Sequence, residues 1–170
     1  METIEIASER FIKVNGDSCE TCKTVLLSSK QRVAMLVRNW YDPIFHEEYR
    51  HIFDEFMKNP VPLTIILGSH DGSESSEFLQ KAYSAKNKKV SILFTDEMLC
   101  NHYFDWQNKV IPQYPVIGDS TMSHVRFVDT SVERKPIWYS ATEYNNPEAV
   151  ASIERRLNIL LNHSSLRKLK

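Results

Sequence analysis

The sequence predicts an α/β domain with a mostly parallel central sheet, helices on both faces and an antiparallel hairpin near the C-terminus. Short apolar runs alternate with segments in which apolar residues recur at helical spacing, which is typical of domains whose parallel strands are joined by helices. Near the end, strand-like segments around Phe127 and Ile137 are separated only by a short polar stretch, residues 129–134. Because this connection leaves no room for a crossover helix, the last pair should run antiparallel.

Length and composition indicate a single domain over residues 1–170. A chain of 170 residues with 42% hydrophobic content encloses one substantial core, and not comfortably two. We place that core at about residues 31–163 and treat residues 1–30 as an N-terminal extension. The apolar runs are too short to span a bilayer, and the acidic residues 1–5 lack the basic and apolar regions of a secretory signal. We therefore expect a cytoplasmic protein that does not associate with membranes.

Residues 32–59 predict the first strand and the helix that follows it. Arg32 to Val37 is an apolar run of strand length, and Asp42-Pro43 supplies a capping side chain followed by a proline that suits the first helical position. Asn59-Pro60 ends the helix. Its apolar residues fall on one face, so the helix should lie against the sheet: Phe45, Tyr49, Ile52, Phe53 and Phe56.

The next segment predicts the central strand and a candidate binding loop. Val61 to Leu67 is apolar on both faces, which suits a parallel strand covered by helices on each side. Residues 68–73 follow at the carboxyl end of that strand, where open α/β sheets place ligands. His70 in this loop is a candidate anion-binding residue beside the amino end of the next helix, and the same residues also suit a routine turn.

The alternation of helix and strand patterns continues to about residue 104 and is interrupted after it. A helical pattern over residues 78–83 precedes an apolar run from Val90 to Phe94, and residues 95–97 cap a further helix. Between Asn108 and Met122, two prolines and a glycine interrupt any regular pattern, so we expect an irregular connection.

The C-terminal segment predicts one more helix. Asn146-Pro147 supplies its cap, and apolar residues recur at helical spacing after it: Val150, Ile153, Leu157, Leu160 and Leu161. The basic tail from Arg167 to Lys170 should be frayed.

Net charge excludes a strong global attraction to nucleic acid or to anionic membranes. The 21 basic and 22 acidic side chains give a formal charge of −1, so contact with a polyanion would require a local patch. The four glycines of the chain are not clustered, which excludes the phosphate-cradling loops of nucleotide-binding folds. We expect no cofactor.

The three cysteines argue for a reducing compartment and against a disulfide framework. Cys19 and Cys22 have the spacing of a metal half-site, but Cys100 and His102 would have to supply the other ligands from far away in sequence. The spacing also suits a redox pair, although no strand rich in β-branched residues leads directly into Cys19. The remaining interpretation is a surface turn with two thiols, with Cys100 buried as a small hydrophobic residue. We expect no metal site.

The most informative segment carries a histidine and an arginine on one strand. In residues 123–129, His124 and Arg126 are two positions apart and share a face. A second strand ending in Ser140, the region of Asn145 and a closing helix follow it. This order resembles one half of the phospholipase D-like superfamily, from about Arg32 onward.

The resemblance implies a half-site that needs a partner. In that family two copies of a His-x-Lys-x4-Asp motif meet across a twofold or pseudo-twofold axis. One histidine attacks phosphorus and the other protonates the leaving oxygen, so each half alone is inert. Small members with a single motif are homodimers for that reason. The resemblance therefore implies a homodimer.

The motif is incomplete in this chain. His124 matches the motif histidine, Arg126 stands at the lysine position, and Ser131 stands at the aspartate position, with Asp129 two residues early. Ser140 and Asn145 lie near the positions of the polar serine and asparagine that follow the motif. Arginine keeps the positive charge but changes its geometry, and loss of the aspartate removes the group that would orient the histidine ring.

Three interpretations of the half-site follow. In the first, the protein is a non-catalytic module that acts as a dimeric binding, sensing or assembly component, for example of a bacterial system that works on nucleic acid or with a protein partner. Its binding residues would be Arg126, Ser140, Asn145 and His70. In the second, it is a divergent, metal-independent dimeric phosphodiesterase or nuclease that uses His124 from each protomer as the catalytic residue. In the third, His124 is an ordinary strand residue whose ring hydrogen-bonds a neighbour.

Overall fold

A computed structural model describes residues 11–14, 18–37, 47–68, 89–95, 97–104, 113–129, 137–163 and 167–168. The strands are β1 (Phe11–Val14), β2 (Val33–Val37), β3 (Leu63–Leu67), β4 (Val90–Phe94), β5 (Gln113–Gly118), β6 (Met122–Asp129), β7 (Ile137–Tyr144) and β8 (Arg167–Lys168). The helices are α1 (Ser18–Ser28), α2 (Glu47–Lys58), α3 (Glu97–Phe104) and α4 (Pro147–Leu161). Of these helices, none is long and apolar enough to cross a membrane.

The eight described strands form one sheet in the order β1-β7-β6-β5-β2-β3-β4-β8. β2, β3 and β4 run parallel at its centre, and the strands outside them pair antiparallel. β6 and β7 form the predicted C-terminal hairpin, paired from Ser123 with Glu143 to Asp129 with Ile137. The predicted fold class is confirmed, and the hairpin lies inside the sheet because β1 covers its outer strand.

Helices cover both faces of the sheet, as the central strand predicts. Ile65 of β3 belongs to the first core, in which apolar side chains of α1 and α2 pack on one face of the sheet. Ile66 belongs to the second core, formed on the other face with α3 and α4. Both isoleucines are fully buried. Alternate residues of one strand therefore contribute to two separate cores, which explains the continuous apolar run.

The connection between Asn108 and Met122 is not irregular throughout, because it contains β5. The register of β5 against β6 shifts between Gln113 and Val116, and Pro115 falls within that shift, where a missing backbone donor is tolerated. Gly118 ends the strand for a packing reason. A Cβ at Gly118 would lie 2.9 Å from Val25 Cγ1 and closer still to Ser29 Oγ, so the glycine allows α1 to approach β5.

The N-terminal segment is part of the fold. Within the predicted N-terminal extension, residues 11–14 supply β1 to the sheet and residues 18–28 supply α1 to the first core, where Val25 and Leu26 are buried. The surface turn predicted at Cys19 and Cys22 is wrong, since both residues lie on α1. The tail is not frayed at residues 167–168, which pair with β4. The limits of the single domain stay a prediction.

The C-terminal helix follows its sequence signals closely. Asn146 caps α4: its Oδ1 accepts a hydrogen bond from the backbone N–H of Ala149, 3.2 Å away, and Pro147 is the first helical residue. The backbone N–H of Asn146 also donates to the carbonyl of Thr121 at 3.0 Å, which ties the start of α4 to the β5–β6 turn. The predicted buried face is confirmed at Val150, Ile153, Leu157 and Leu160.

A carboxylate anchors the other side of that turn. Asp119 adopts a left-handed backbone conformation with φ of 52°, and its side chain accepts hydrogen bonds from the backbone N–H groups of Lys30, Gln31 and Arg32 at 2.8–3.2 Å. Its own N–H donates to the carbonyl of Arg32 at 2.8 Å. The loop that joins α1 to β2 is therefore held against the β5–β6 turn.

We expect the substitution Ile66→Ala to lower the free energy of unfolding by about 2–5 kcal/mol, because it leaves a cavity in the second core. Urea denaturation followed by circular dichroism measures the change. Ile159→Ala is the matched control, since Ile159 on α4 is 43% exposed and should cost about 0.5 kcal/mol or less. Equal effects of the two substitutions would contradict the two-core arrangement.

Candidate functional site

His124 lies on β6 and faces the helices α1 and α2. Residues alternate between faces along a strand, and Met122, two positions earlier, belongs to the first core. The cross-strand partners of His124 are Val116 on β5 and Thr142 on β7. Helix α1 contacts both β5 and β6. The motif histidine is therefore placed on the face of the sheet that α1 covers.

The imidazole of His124 is buried and hydrogen-bonded within the protein. The residue is 1% exposed, and its Nδ1 lies 2.8 Å from Oγ1 of Thr142, which is itself fully buried. A hydroxyl can either donate or accept, so Thr142 is compatible with either neutral tautomer of the ring. This partner of Nδ1 is thus a neutral hydroxyl.

Sequence reasoning missed Thr142, although a signal for it existed. Thr142 lies two positions after Ser140 on the same strand and so shares its face. Finding it required the register of the hairpin, which depends on how many residues of the connection between β6 and β7 belong to the strands. The third interpretation of His124, a ring bonded to a strand neighbour, matches this contact.

Arg126 and Ser140 are brought together by the same hairpin. They are direct cross-strand partners. Their pair lies two positions along the hairpin from the pair of His124 and Thr142, so it is the next pair on the same face of the sheet. Four polar positions therefore form one block on β6 and β7: His124, Arg126, Ser140 and Thr142. The structure describes the backbone of Arg126 and Ser140 but not their side chains. Their membership of the block therefore rests on the strand register alone.

Asn145 does not join this block. It follows the last residue of β7, with φ of 53°, and lies three residues beyond Thr142, the nearest position of the block, which corresponds to about 10 Å along a strand. Its neighbour Asn146 caps α4 at that end of the hairpin. The other candidates, His70 and the motif position Ser131, lie outside the described residues.

No metal centre is formed within the described part of the chain. It contains no group of three or more His, Cys, Asp or Glu residues arranged to hold a metal ion. Cys100 is fully buried in the second core, as predicted, while His102 on the same helix is exposed. The two therefore do not act together as the second half of a site with Cys19 and Cys22.

A groove between α1 and α2 is open to solvent on the same face of the sheet as His124. It has a volume of about 420 Å³ and an apolar floor, with Lys23, His51, Glu55 and Lys58 at its rim. The ammonium of Lys58 donates to the Glu55 carboxylate and lowers its pKa. His124 does not line this groove, so the groove gives a ligand no route to the imidazole.

No protein-family model matches the sequence, and no curated protein matches it. Solved structures do match the fold. Nuc from Salmonella typhimurium, a phospholipase D family member, superposes with a TM-score of 0.64 at 13% identity, over 95% of this chain and 99% of that chain. This chain has the phospholipase D fold. The architecture implied by the sequence resemblance is confirmed.

Two further solved structures also superpose on this chain. TrmBL2, an archaeal chromatin protein whose structure shows a novel mode of DNA binding, superposes with a TM-score of 0.61 at 13% identity, over 97% of this chain and 56% of that one. Phosphatidylserine synthase from Haemophilus influenzae Rd KW20 gives 0.60 at 11% identity, over 98% and 42%. The chain spans about half the length of these two proteins and nearly all of Nuc. Identities this low establish the fold alone.

The hydrogen bond between His124 and Thr142 can be tested by a double-mutant cycle. Thr142→Val should cost about 1–3 kcal/mol of unfolding free energy, because it leaves a buried ring nitrogen without this partner. Replacing both residues, as His124→Leu with Thr142→Val, should cost less than the sum of the single changes. Strict additivity in urea denaturation would contradict the bond.

Proposed function

We propose that this protein is a non-catalytic phospholipase D-like module that works as a homodimer and binds nucleic acid through Arg126 and Ser140 of the block on β6 and β7. The observation that carries the proposal is the burial of His124. A histidine that attacks phosphorus must bring a ring nitrogen to about 3–3.5 Å from it. A ring that is 1% exposed meets no phosphodiester unless the structure around it moves.

The partner of the ring supports the same conclusion. A carboxylate on the imidazole stabilises the positive charge that the ring acquires when it takes up a proton or a phosphoryl group. Thr142 offers a neutral hydroxyl, which orients the ring but does not compensate that charge. Ser131 at the motif aspartate position supplies no carboxylate either. The chemistry that would make His124 a nucleophile is thus weakened at two points.

Binding of nucleic acid rests on the surviving cation and on the fold. Arg126 keeps a positive charge at the motif lysine position, and its planar guanidinium suits two oxygens of one phosphate. The archaeal chromatin protein that shares the fold binds DNA, which is a precedent for this use of the architecture. With a net charge of −1, affinity would depend on this local site.

The homodimer follows from the half-site. This chain carries one histidine at the motif position and superposes over nearly the whole length of Nuc, so we assign the second half-site to a second copy of the same chain. A closed twofold interface is the commonest way to join two identical chains, and it would set two copies of Arg126 about one axis. Two weak phosphate contacts would then act together on one nucleic acid.

The alternative function is a divergent dimeric phosphodiesterase with His124 from each protomer. It is favoured by the superposition on a phospholipase D family member and on a phosphatidylserine synthase. It requires a change in structure that exposes the buried ring of His124 when substrate binds. The two functions therefore differ in whether His124 ever contacts a phosphate.

We expect no turnover when the purified protein is incubated without metal ions with single-stranded DNA, double-stranded DNA and a chromogenic phosphodiester. The rate should equal that of His124→Gln, a variant that keeps a polar side chain in the buried site. Light scattering of the same sample tests the proposed homodimer and should give twice the 19.8 kDa mass of the chain. A monomer would bring only one half-site to the substrate. Turnover that disappears in His124→Gln, with the circular dichroism spectrum unchanged, would establish the phosphodiesterase.

Fluorescence anisotropy with a labelled oligonucleotide tests the binding role of Arg126. Affinity should fall as salt rises, and Arg126→Ala should weaken binding and reduce the slope of log affinity against log salt by about two, one for each protomer of the dimer. Arg155→Ala is the matched control, since Arg155 is exposed on α4, on the other face of the sheet. Equal losses in the two variants, or no measurable binding by the wild type, would count against the site.

A further inference from the structure

The two N-terminal cysteines occupy the first turn and a half of α1. The helix begins at Ser18, so Cys19 is its second residue and Cys22 its fifth. The strand β1 ends at Val14, only three residues before the helix. A strand therefore leads into a Cys-x-x-Cys helix start, although the sequence had given no sign of a strand at this point.

This arrangement satisfies the structural context that a redox dithiol requires. Cys-x-x-Cys pairs that exchange disulfides lie where a strand passes into a helix. The sequence alone predicts no strand rich in β-branched residues directly before Cys19. β1 supplies the strand, paired antiparallel with β7 from Phe11 to Val14.

The backbone geometry permits a bond between the two cysteines. Residues three apart on an α-helix have Cα atoms about 5 Å apart. Disulfides span Cα separations of about 4.4–6.8 Å, so the first turn of α1 can close one without a large movement of the backbone. Cys100 offers no competing partner, because it is buried in the second core on the opposite face of the sheet from α1.

The position also favours the reactive form of the first cysteine. The unpaired N–H groups and the dipole at the start of a helix stabilise a negative charge in the first turn. Cys19 is nearer that end than Cys22, so its thiolate gains more from the helix. The attacking and resolving roles are thereby distinguished.

We propose that Cys19 and Cys22 form a redox-active dithiol that exchanges reversibly with a small disulfide such as oxidised glutathione. The Cys19 thiolate attacks one sulfur of that disulfide, which forms a mixed disulfide and releases one glutathione thiolate. The Cys22 thiolate then attacks the Cys19 sulfur, closes the intramolecular disulfide and releases the second glutathione. The protein loses two electrons and two protons, and one disulfide is reduced to two thiols.

Oxidation would act on a helix that contacts β6, the strand of His124. Further along α1, Val25 and Leu26 are anchored in the first core, and α1 contacts β6. A disulfide in the first turn would restrain the free end of that helix while its last turns stay packed. The dithiol is a site in its own right, independent of whether the β6–β7 block binds nucleic acid.

Equilibration in glutathione buffers of rising oxidised fraction, followed by alkylation and intact mass spectrometry, tests the proposal. The native wild type should lose two alkylatable thiols together, without gaining a glutathionyl group, and dithiothreitol should restore both. Cys19→Ser and Cys22→Ser should instead each accumulate one glutathionyl group. Cys100→Ser is the control and should behave as the wild type does.

A rate measurement separates the two roles. At pH 6, Cys19 in the Cys22→Ser variant should be alkylated about tenfold faster than Cys22 in the Cys19→Ser variant, because Cys19 lies nearer the start of the helix. Two thiols that stay alkylatable in the wild type at every glutathione ratio would overturn the proposal. So would one tightly held zinc ion per two chains that blocks oxidation, since the pair would then be a metal half-site.

Discussion

The parallel strands β2, β3 and β4 bury apolar side chains on both faces, and this requirement decides where the helices lie. Ile65 and Ile66 are adjacent in sequence but belong to different cores, so neither face of the central sheet can be left to solvent. α1 and α2 close one face, and α3 and α4 close the other. Because Gly118 lets α1 approach β5 closely, the same helix extends its cover to β6. His124 lies on the face of the sheet that this helix packs against.

Burial changes what the motif histidine can do. A polar ring in a core must find a hydrogen-bond partner, and the register of the β6–β7 hairpin supplies the hydroxyl of Thr142. This contact compensates the cost of burying the imidazole. It also commits Nδ1 of the ring to a neutral hydroxyl. The same hydrogen bond therefore fixes the orientation of the imidazole between the two strands.

The loops around the hairpin show how the N- and C-terminal parts are joined. The Asp119 carboxylate collects three backbone N–H groups from the loop after α1, and the carbonyl of Thr121 receives the N–H of the α4 cap residue Asn146. One short turn thus connects α1, the sheet and α4. Arg32 adds an ion pair to Glu154 on α4. These polar contacts orient the two helical layers, while the apolar cores supply most of the burial.

The sequence by itself determined the elements whose signals are local: the doubly apolar strand β3, the capped helix α4 and the polar connection that makes β6 and β7 a hairpin. It also located His124 and Arg126 on one face, because strand residues alternate. It did not predict β5, since Pro115 and Gly118 are breakers in isolation and acquire their meaning from a register shift and a neighbouring helix. Only the tertiary structure decided that β1 and α1 belong to the fold, that Thr142 meets His124 and that Asn145 lies away from the block. Each of these depends on pairing between residues distant in sequence, which no local pattern encodes.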